Sequence, residues 1–237
     1  MKVEIAHDIA CVWSALGFAR FRRAADEHRA GGAELEVTFR PYDIAETHPA
    51  AGTRHAAEKH EAVGTQPAAG TRHAAETYGV AGAYDVVGVS DVAGASPGRV
   101  HPQLASAARA ERIVRAAAVD GLVMNLDRIV PADTFHAHRL IAAAAVHGTA
   151  EDMAVRLYRA YFTDGLDIAD AGVLRSLASV LGVPWNGELL DARLARSGRG
   201  SGPRVPVFRF PDGTVLVGAV SLAALRNELR QATCAAA

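Results

Sequence analysis

The chain is short of cysteine and aromatic residues, has no excess of either charge and has no long apolar run. Each shortage removes a class of protein. Two cysteines, Cys11 and Cys234, stand in 237 residues, too few for a disulfide framework and suited to a reducing compartment. Lys plus Arg number 25 and Asp plus Glu 26, a formal net charge of −1. That balance supplies neither the basic surface of a nucleic-acid binder nor an acidic tail. Aromatic residues make up 6%, leaving little for base stacking. The longest apolar runs, such as IAAAAV at 141–146, fall far short of the ~20 residues of a membrane span. In the opening MKVEIAHDIACVW, Glu4, His7 and Asp8 interrupt what would have to be the apolar core of a signal peptide. These shortages predict a cytoplasmic protein with no membrane and no nucleic-acid partner. Half of the residues are hydrophobic, enough for one sizeable core or for a small domain with a second built into it.

Patterning gives the organisation. Val3 and Ile5 alternate as in a strand, and SALGFARFRRAADEHRAG then carries Leu16, Phe18, Phe21 and Ala25 on one helical face up to Gly31-Gly32. AELEVTFRPY alternates Leu35, Val37 and Phe39 until Pro41. This is β-α-β, and two strands joined through a helix are expected to be parallel. Near the other end, RVPVFRFPDG and TVLVGAV read as strands of a hairpin of about the tightest kind, turning at Asp212-Gly213. SLAALRNELRQA follows as a helix with Ser221 at its N-cap, leaving Cys234 on a tail beyond it. Between these ends, segments 104–121, 132–148, 149–165 and 170–182 have helical periodicity and close on glycine, with Asp133, Thr149 and Asp170 as N-caps. The decapeptide PAAGTRHAAE occurs at 49–58 and again at 67–76. Two copies so poor in Leu, Ile and Val make no solenoid and read as a local duplication. Residues 80–100 read as loop, and the basic, glycine-rich 196–204 as a connector whose Arg199 or Arg204 could meet an anionic thiol.

Cys11 sits where the first strand hands over to the first helix. Backbone N–H groups and the positive end of the helix dipole lower a thiol pKa there, although on position alone a buried, inert cysteine is the commoner occupant of such a place. His7, four residues earlier, could lower the thiol pKa further, but four residues of strand span roughly 13 Å, so contact requires the chain to turn. His136 and His138 fall about 200° apart on a helix and do not converge. No metal site is expected.

The wording around Cys11 narrows the choice. HDIACVWSALG carries Asp8, Cys11, Trp13 and Gly17; FRPYDI spans 39–44, VPADTFHAHRLIAAA 130–144, LYRAYFTDGLDIAD 157–170 and RVPVFRF 204–210. In this combination the chain resembles the DsbA-like thioredoxin-fold oxidoreductases, in particular their FrnE-type branch, which is related to 2-hydroxychromene-2-carboxylate isomerases. The resemblance implies an α/β thioredoxin fold (β-α-β … β-β-α) with an inserted α-helical domain: residues 1–45 and 198–237 thioredoxin-like, residues 46–197 the helical insertion. It implies Cys11 as nucleophile and a cis peptide bond before Pro206. Val205 and Trp13 would then bind the thiol substrate.

Two departures bear on mechanism. Val12 stands where the family motif C-P-W-C has proline, and Ser14 where it has the second cysteine. A dithiol enzyme releases its mixed disulfide with that second thiol, so the usual cycle is closed to this motif. The resemblance then implies a monothiol enzyme in which Cys11 reacts, the Ser14 hydroxyl donates to its thiolate, and a low-molecular-weight thiol such as glutathione or mycothiol resolves it. No tightly bound cofactor is implied. The partners are a small-molecule thiol or disulfide, with a homodimer left open. Cys234 as an internal resolver is the less favoured alternative. Two other readings remain: a thiol-cofactor-dependent transferase or isomerase, and a thioredoxin-fold binding protein without catalysis.

Overall fold

The computed structural model describes residues 1–42, 107–185 and 205–235. Strand β1 (Lys2–His7) buries every second side chain, Val3, Ile5 and His7, as the two-residue period of a strand dictates. A turn over residues 8–11 leads into helix α1 (Val12–Ala30). Strand β2 (Glu36–Pro41) then returns parallel to β1, with Ile5 opposite Phe39. A parallel pair needs a crossover, and α1 supplies it.

Four helices follow among the described residues: α2 (Ala107–Val119), α3 (Phe135–Val146), α4 (Ala150–Phe162) and α5 (Ala171–Val180). Strands β3 (Val207–Arg209) and β4 (Val215–Val217) and helix α6 (Leu222–Ala235) complete the order. The sheet runs β2-β1-β3-β4, with β3 antiparallel to both β1 and β4. This is the β-α-β … β-β-α framework with helices between its halves. Helix α6 packs along α1, while α3 and α4 lie against β2. The core forms where α1 meets the sheet and α4. Phe21 stacks on Phe208 at 5.4 Å, and Phe18 meets Phe39 at 5.5 Å and Tyr158 at 5.8 Å between ring centroids. On β1, the side chains between the buried ones make ion pairs instead, Lys2 with Glu36 and Glu4 with Arg40 and Arg209.

Some local expectations are met and others are adjusted. Asp170 caps α5 by accepting from Val173 N at 2.8 Å, and Ser221 accepts from Ala224 N at 3.2 Å. The N-cap of α3 is Thr134 rather than Asp133, whose carboxylate instead accepts from Phe135 N at 2.8 Å. Thr149 is the N-cap of α4, but its hydroxyl donates back to Ala144 O at 3.2 Å rather than capping. The C-terminal hairpin is a residue looser than the tightest kind. Phe210 N–H donates to Thr214 O at 3.0 Å, so Pro211, Asp212 and Gly213 form the loop, with Gly213 at φ +92°. Cys234 lies within α6 and not on a tail. Leu225, Leu229 and Ala232 continue a buried stripe, and Thr233 bonds to Leu229 O and to His28, which keeps the last turn helical. The duplication at 49–76, the stretch 80–100, the connector 196–204 and both domain boundaries, at 45/46 and 197/198, lie outside the described residues.

Candidate active site

Asp8 makes the turn that delivers Cys11. Its side-chain Oδ1 accepts from Ala10 N at 3.0 Å and its backbone carbonyl accepts from Cys11 N at 3.2 Å, the bonding of an Asx-turn. The chain thereby leaves β1 and enters α1 within four residues. Cys11 is the N-cap of α1, with extended backbone angles (φ −89°, ψ 115°). Its sulfur lies at the positive end of a 19-residue helix, a position that stabilises a thiolate. Cys11 is 1% exposed and packs with Tyr42 and Val205, with the half-buried Trp13 against the same group.

The C-terminal half closes the site from the other side. The Val205-Pro206 peptide bond is cis, as the resemblance implied, and Cys11 Sγ lies 3.9 Å from the Val205 carbonyl oxygen. The Pro206 carbonyl accepts from Gly218 N at 2.7 Å, which ties this corner to the end of β4. Gly17, one and a half turns into α1, lets the proline in: a Cβ there would stand 2.6 Å from Pro206 Cγ. The Cys11–Trp13 and Val205–Pro206 segments, far apart in sequence, are thus brought together.

Ser14 faces inward. It is fully buried, its Oγ accepts from Asp8 N at 3.4 Å, and it hydrogen-bonds to the Tyr158 hydroxyl. Tyr158, on α4, also lies 2.7 Å from His7 Nδ1 and 3.4 Å from the Asp8 carbonyl oxygen. His138, on α3, approaches Asp8 Oδ1 at 3.8 Å and meets the His7 ring edge-on at 5.1 Å. Burial, and after it the neighbouring His138, hold the His7 imidazole well below its usual pKa. Burial, then the charges of Cys11 and Asp8, push the Tyr158 hydroxyl well above its usual value. Burial, then Asp8 and Asp167, do the same for Tyr161. At neutral pH His7 is therefore uncharged and both tyrosines keep their protons.

Tyr42, His138 and Tyr158 are the neighbours that sequence reasoning missed. His7 had a signal, since it continues the Val3-Ile5 alternation onto the buried face. Tyr158 lies on the buried stripe of α4 with Ala154, Leu157 and Tyr161, yet nothing local says that this stripe meets the Cys11 turn. His7 is linked to the Cys11 turn through Tyr158. His136 is exposed while His138 is buried, and no group of three or more His, Cys, Asp or Glu able to hold a metal occurs among the described residues. Cys234 is badly placed to resolve Cys11. Its neighbour Thr233 bonds to His28 near the far end of α1, roughly 25 Å along that helix from Cys11 at 1.5 Å per residue. None of the described helices is long and apolar enough to cross a membrane.

Comparison with known proteins places this geometry. The model of the DSBA-like thioredoxin domain matches residues 2–197. No curated protein matches the chain by sequence. Among solved structures, a probable DsbA oxidoreductase from Streptomyces coelicolor is similar with a TM-score of 0.63 and 21% identity, over 98% of this chain and 90% of that one. The cytosolic disulfide reductase DsbM from Pseudomonas aeruginosa, in a structure with glutathione, gives 0.51 and 17%, over 98% and 96%. A 2-hydroxychromene-2-carboxylate isomerase gives 0.52 and 14%, over 98% and 95%. With the family model spanning most of its length, the chain belongs to the DsbA-like thioredoxin family.

Proposed function

We propose that this protein is a cytoplasmic monothiol oxidoreductase of the FrnE-type branch, exchanging disulfides between small thiols through Cys11. Residues 1–45 and 198–237 form its thioredoxin-like domain and residues 46–197 its helical domain. The observation that carries the reading is the placement of Cys11 Sγ at the N-terminus of α1, 3.9 Å from the Val205 carbonyl beside cis-Pro206. A glutathione-containing structure of DsbM, named as cytosolic, supports a small thiol as partner and the compartment. In the first step the Cys11 thiolate attacks one sulfur of a small disulfide, forming a mixed disulfide and expelling the other half as thiolate. With Ser14 in place of a second cysteine, a thiolate from solution attacks the substrate-derived sulfur. That attack releases Cys11 as thiolate and yields a new small disulfide, so one disulfide and one thiolate are consumed and one of each is formed. Val205 and Trp13 flank the sulfur and bind the thiol's backbone or side chain.

The 1% exposure of Cys11 favours a second reading over exchange with protein disulfides. A substrate must part a cover that includes Tyr42, Trp13 and Val205, which suits a small molecule. The site would then hold a cofactor thiol and activate it toward a small electrophile, as a transferase or isomerase.

The test is the rate of Cys11 alkylation by iodoacetamide against pH, read by intact mass in a Cys234→Ser background. An apparent pKa below the unperturbed ~8.5, with the labelling lost in Cys11→Ser, is expected. Labelling with an unshifted pKa, or none, sinks both enzymatic readings and leaves a binding protein on a thioredoxin frame. Turnover of an electrophile with glutathione, without exchange of a glutathione disulfide, would select the second reading over the first.

A further inference from the structure

Beneath the Cys11 turn lies a buried cluster of polar groups that the motif does not explain. Ser14 comes from α1, His7 and Asp8 from the end of β1, Tyr158 from α4 and His138 from α3. The apolar rings of Phe18 and Phe39 pack around the same place. Fully buried hydroxyls are costly unless bonded, so the cluster can be read by counting protons and acceptors.

Ser14 brings one hydroxyl proton and Tyr158 one. Ser14 Oγ already accepts from Asp8 N, and the Asp8 carbonyl already accepts from Cys11 N. The short contact of the cluster is the 2.7 Å between Tyr158 and His7 Nδ1, against 3.4 Å to the Asp8 carbonyl. Tyr158 gives its proton to His7 Nδ1 or to the Asp8 carbonyl according to the His7 tautomer, and in either case its oxygen accepts from Ser14. His7 Nε2 has no hydrogen-bond partner among the described residues. In this arrangement the single proton of Ser14 is committed to Tyr158. Cys11 and Ser14 are the N-cap and third residue of α1, one turn apart on one side of the helix, so the thiolate and the tyrosine oxygen compete for the same donor.

We propose that Tyr158 is a positioning residue that holds the Ser14 hydroxyl away from the Cys11 thiolate. Without the Tyr158 oxygen, the Ser14 proton is free to turn toward Cys11. His7, Asp8, His138 and Tyr161 are the other ionisable groups facing the cluster. The inference deepens the proposed role of Cys11 and rests on that reading.

The experiment is the pH profile of Cys11 alkylation by iodoacetamide in four proteins, all Cys234→Ser: otherwise unchanged, Tyr158→Phe, Ser14→Ala, and the double variant. Tyr158→Phe keeps the ring and frees the Ser14 proton. Its profile is expected to move to lower pH, with labelling at pH 7 faster by about fivefold, as suits one added hydrogen bond to a charged sulfur. With Ser14→Ala already present, Tyr158→Phe is expected to leave the midpoint where Ser14→Ala puts it. A change confined to the plateau rate reports a looser cover and overturns the proposal, as does an unmoved midpoint, a midpoint moved to higher pH, or a shift that survives Ser14→Ala. A thiol that no variant labels also overturns it. The midpoint of the unchanged protein judges Cys11 as nucleophile, while the shift between variants judges Tyr158, so the two can fail separately.

Discussion

At the scale of the residue, the site is governed by which protons burial permits. His7 occupies a strand position that alternation assigns to the core, and the cost of charging it there, increased by His138, holds its pKa well below the usual value. The unfolded chain takes up a proton on His7 as pH falls through about 6.5, and the folded chain refuses it. The unfolded state therefore binds more protons below that pH, and stability falls as pH falls. The stabilisation is fully present above the unfolded pKa and is lost progressively below it, down to the folded pKa. His28, also held below its usual pKa, adds a slope of the same sign. Replacing His7 by Gln is expected to remove about one proton's worth of the slope, about 1.4 kcal/mol per pH unit. Urea midpoints between pH 7 and pH 5 for the two proteins measure it; equal slopes would show that His7 titrates as freely in the folded chain as in the unfolded one.

At the scale of the element, the site depends on how closely α1 approaches the corner before β3. A glycine inside a helix costs about 1 kcal/mol against alanine, so Gly17 is a local loss that tertiary structure must offset. The offset is the Pro206 ring, which occupies the place of the missing Cβ. Gly17→Ala puts a methyl 2.6 Å from Pro206 Cγ and 3.4 Å from the Ala219 Cα and Phe208 Cζ. Helix propensity predicts a more stable protein; the clash, costing about 1–3 kcal/mol, predicts a less stable one. We expect the clash to win, with a lower melting temperature and faster labelling of Cys11 as Val205 is pushed from it. A melting temperature that rises would mean that the proline corner yields without cost. Much of this scale was legible in the sequence. Alternation and helical period gave β1, α1, β2 and the final β-β-α, and Asp170 and Ser221 cap as their residue types suggest. Family wording brought Cys11, Val205 and Pro206 to one place. What stayed hidden has a physical reason: Ser14 turns inward because Tyr158, 150 residues away along the chain from Asp8, offers it a partner, and no local pattern encodes a contact between α1 and α4. The same holds for the last turn of α6, kept helical by His28 on another helix.

At the scale of the whole molecule, the two ends of the chain and the helices between them must be held in one register for the site to exist, since Cys11 and Val205 meet across the framework. Helix α1 is the common member. Its Arg29 pairs with the part-buried Glu151 at the start of α4, and its Arg22 with Asp152, a pair exposed enough to be worth little alone. Arg20 is different, with its side chain 19% exposed and that of Asp120 11%. It donates through Nε to Asp120 at 2.7 Å, just past α2, and through Nη1 to the carbonyls of Ala219 at 2.7 Å and Val220 at 3.3 Å, just before α6. One guanidinium thus joins α1, the helical segment and the C-terminal segment, and its removal leaves a carboxylate and two carbonyls short of donors. Arg20→Gln is expected to lower stability by about 2–4 kcal/mol. Arg20→Lys recovers less than half of that, because an ammonium cannot reproduce the fork that reaches both sides at once. A double-mutant cycle with Asp120→Asn, read by urea midpoints, is expected to return a coupling of about 1–3 kcal/mol. A coupling near zero, or full recovery by lysine, would mean that the segments are held by their apolar faces alone and that Arg20 is no more than a surface charge.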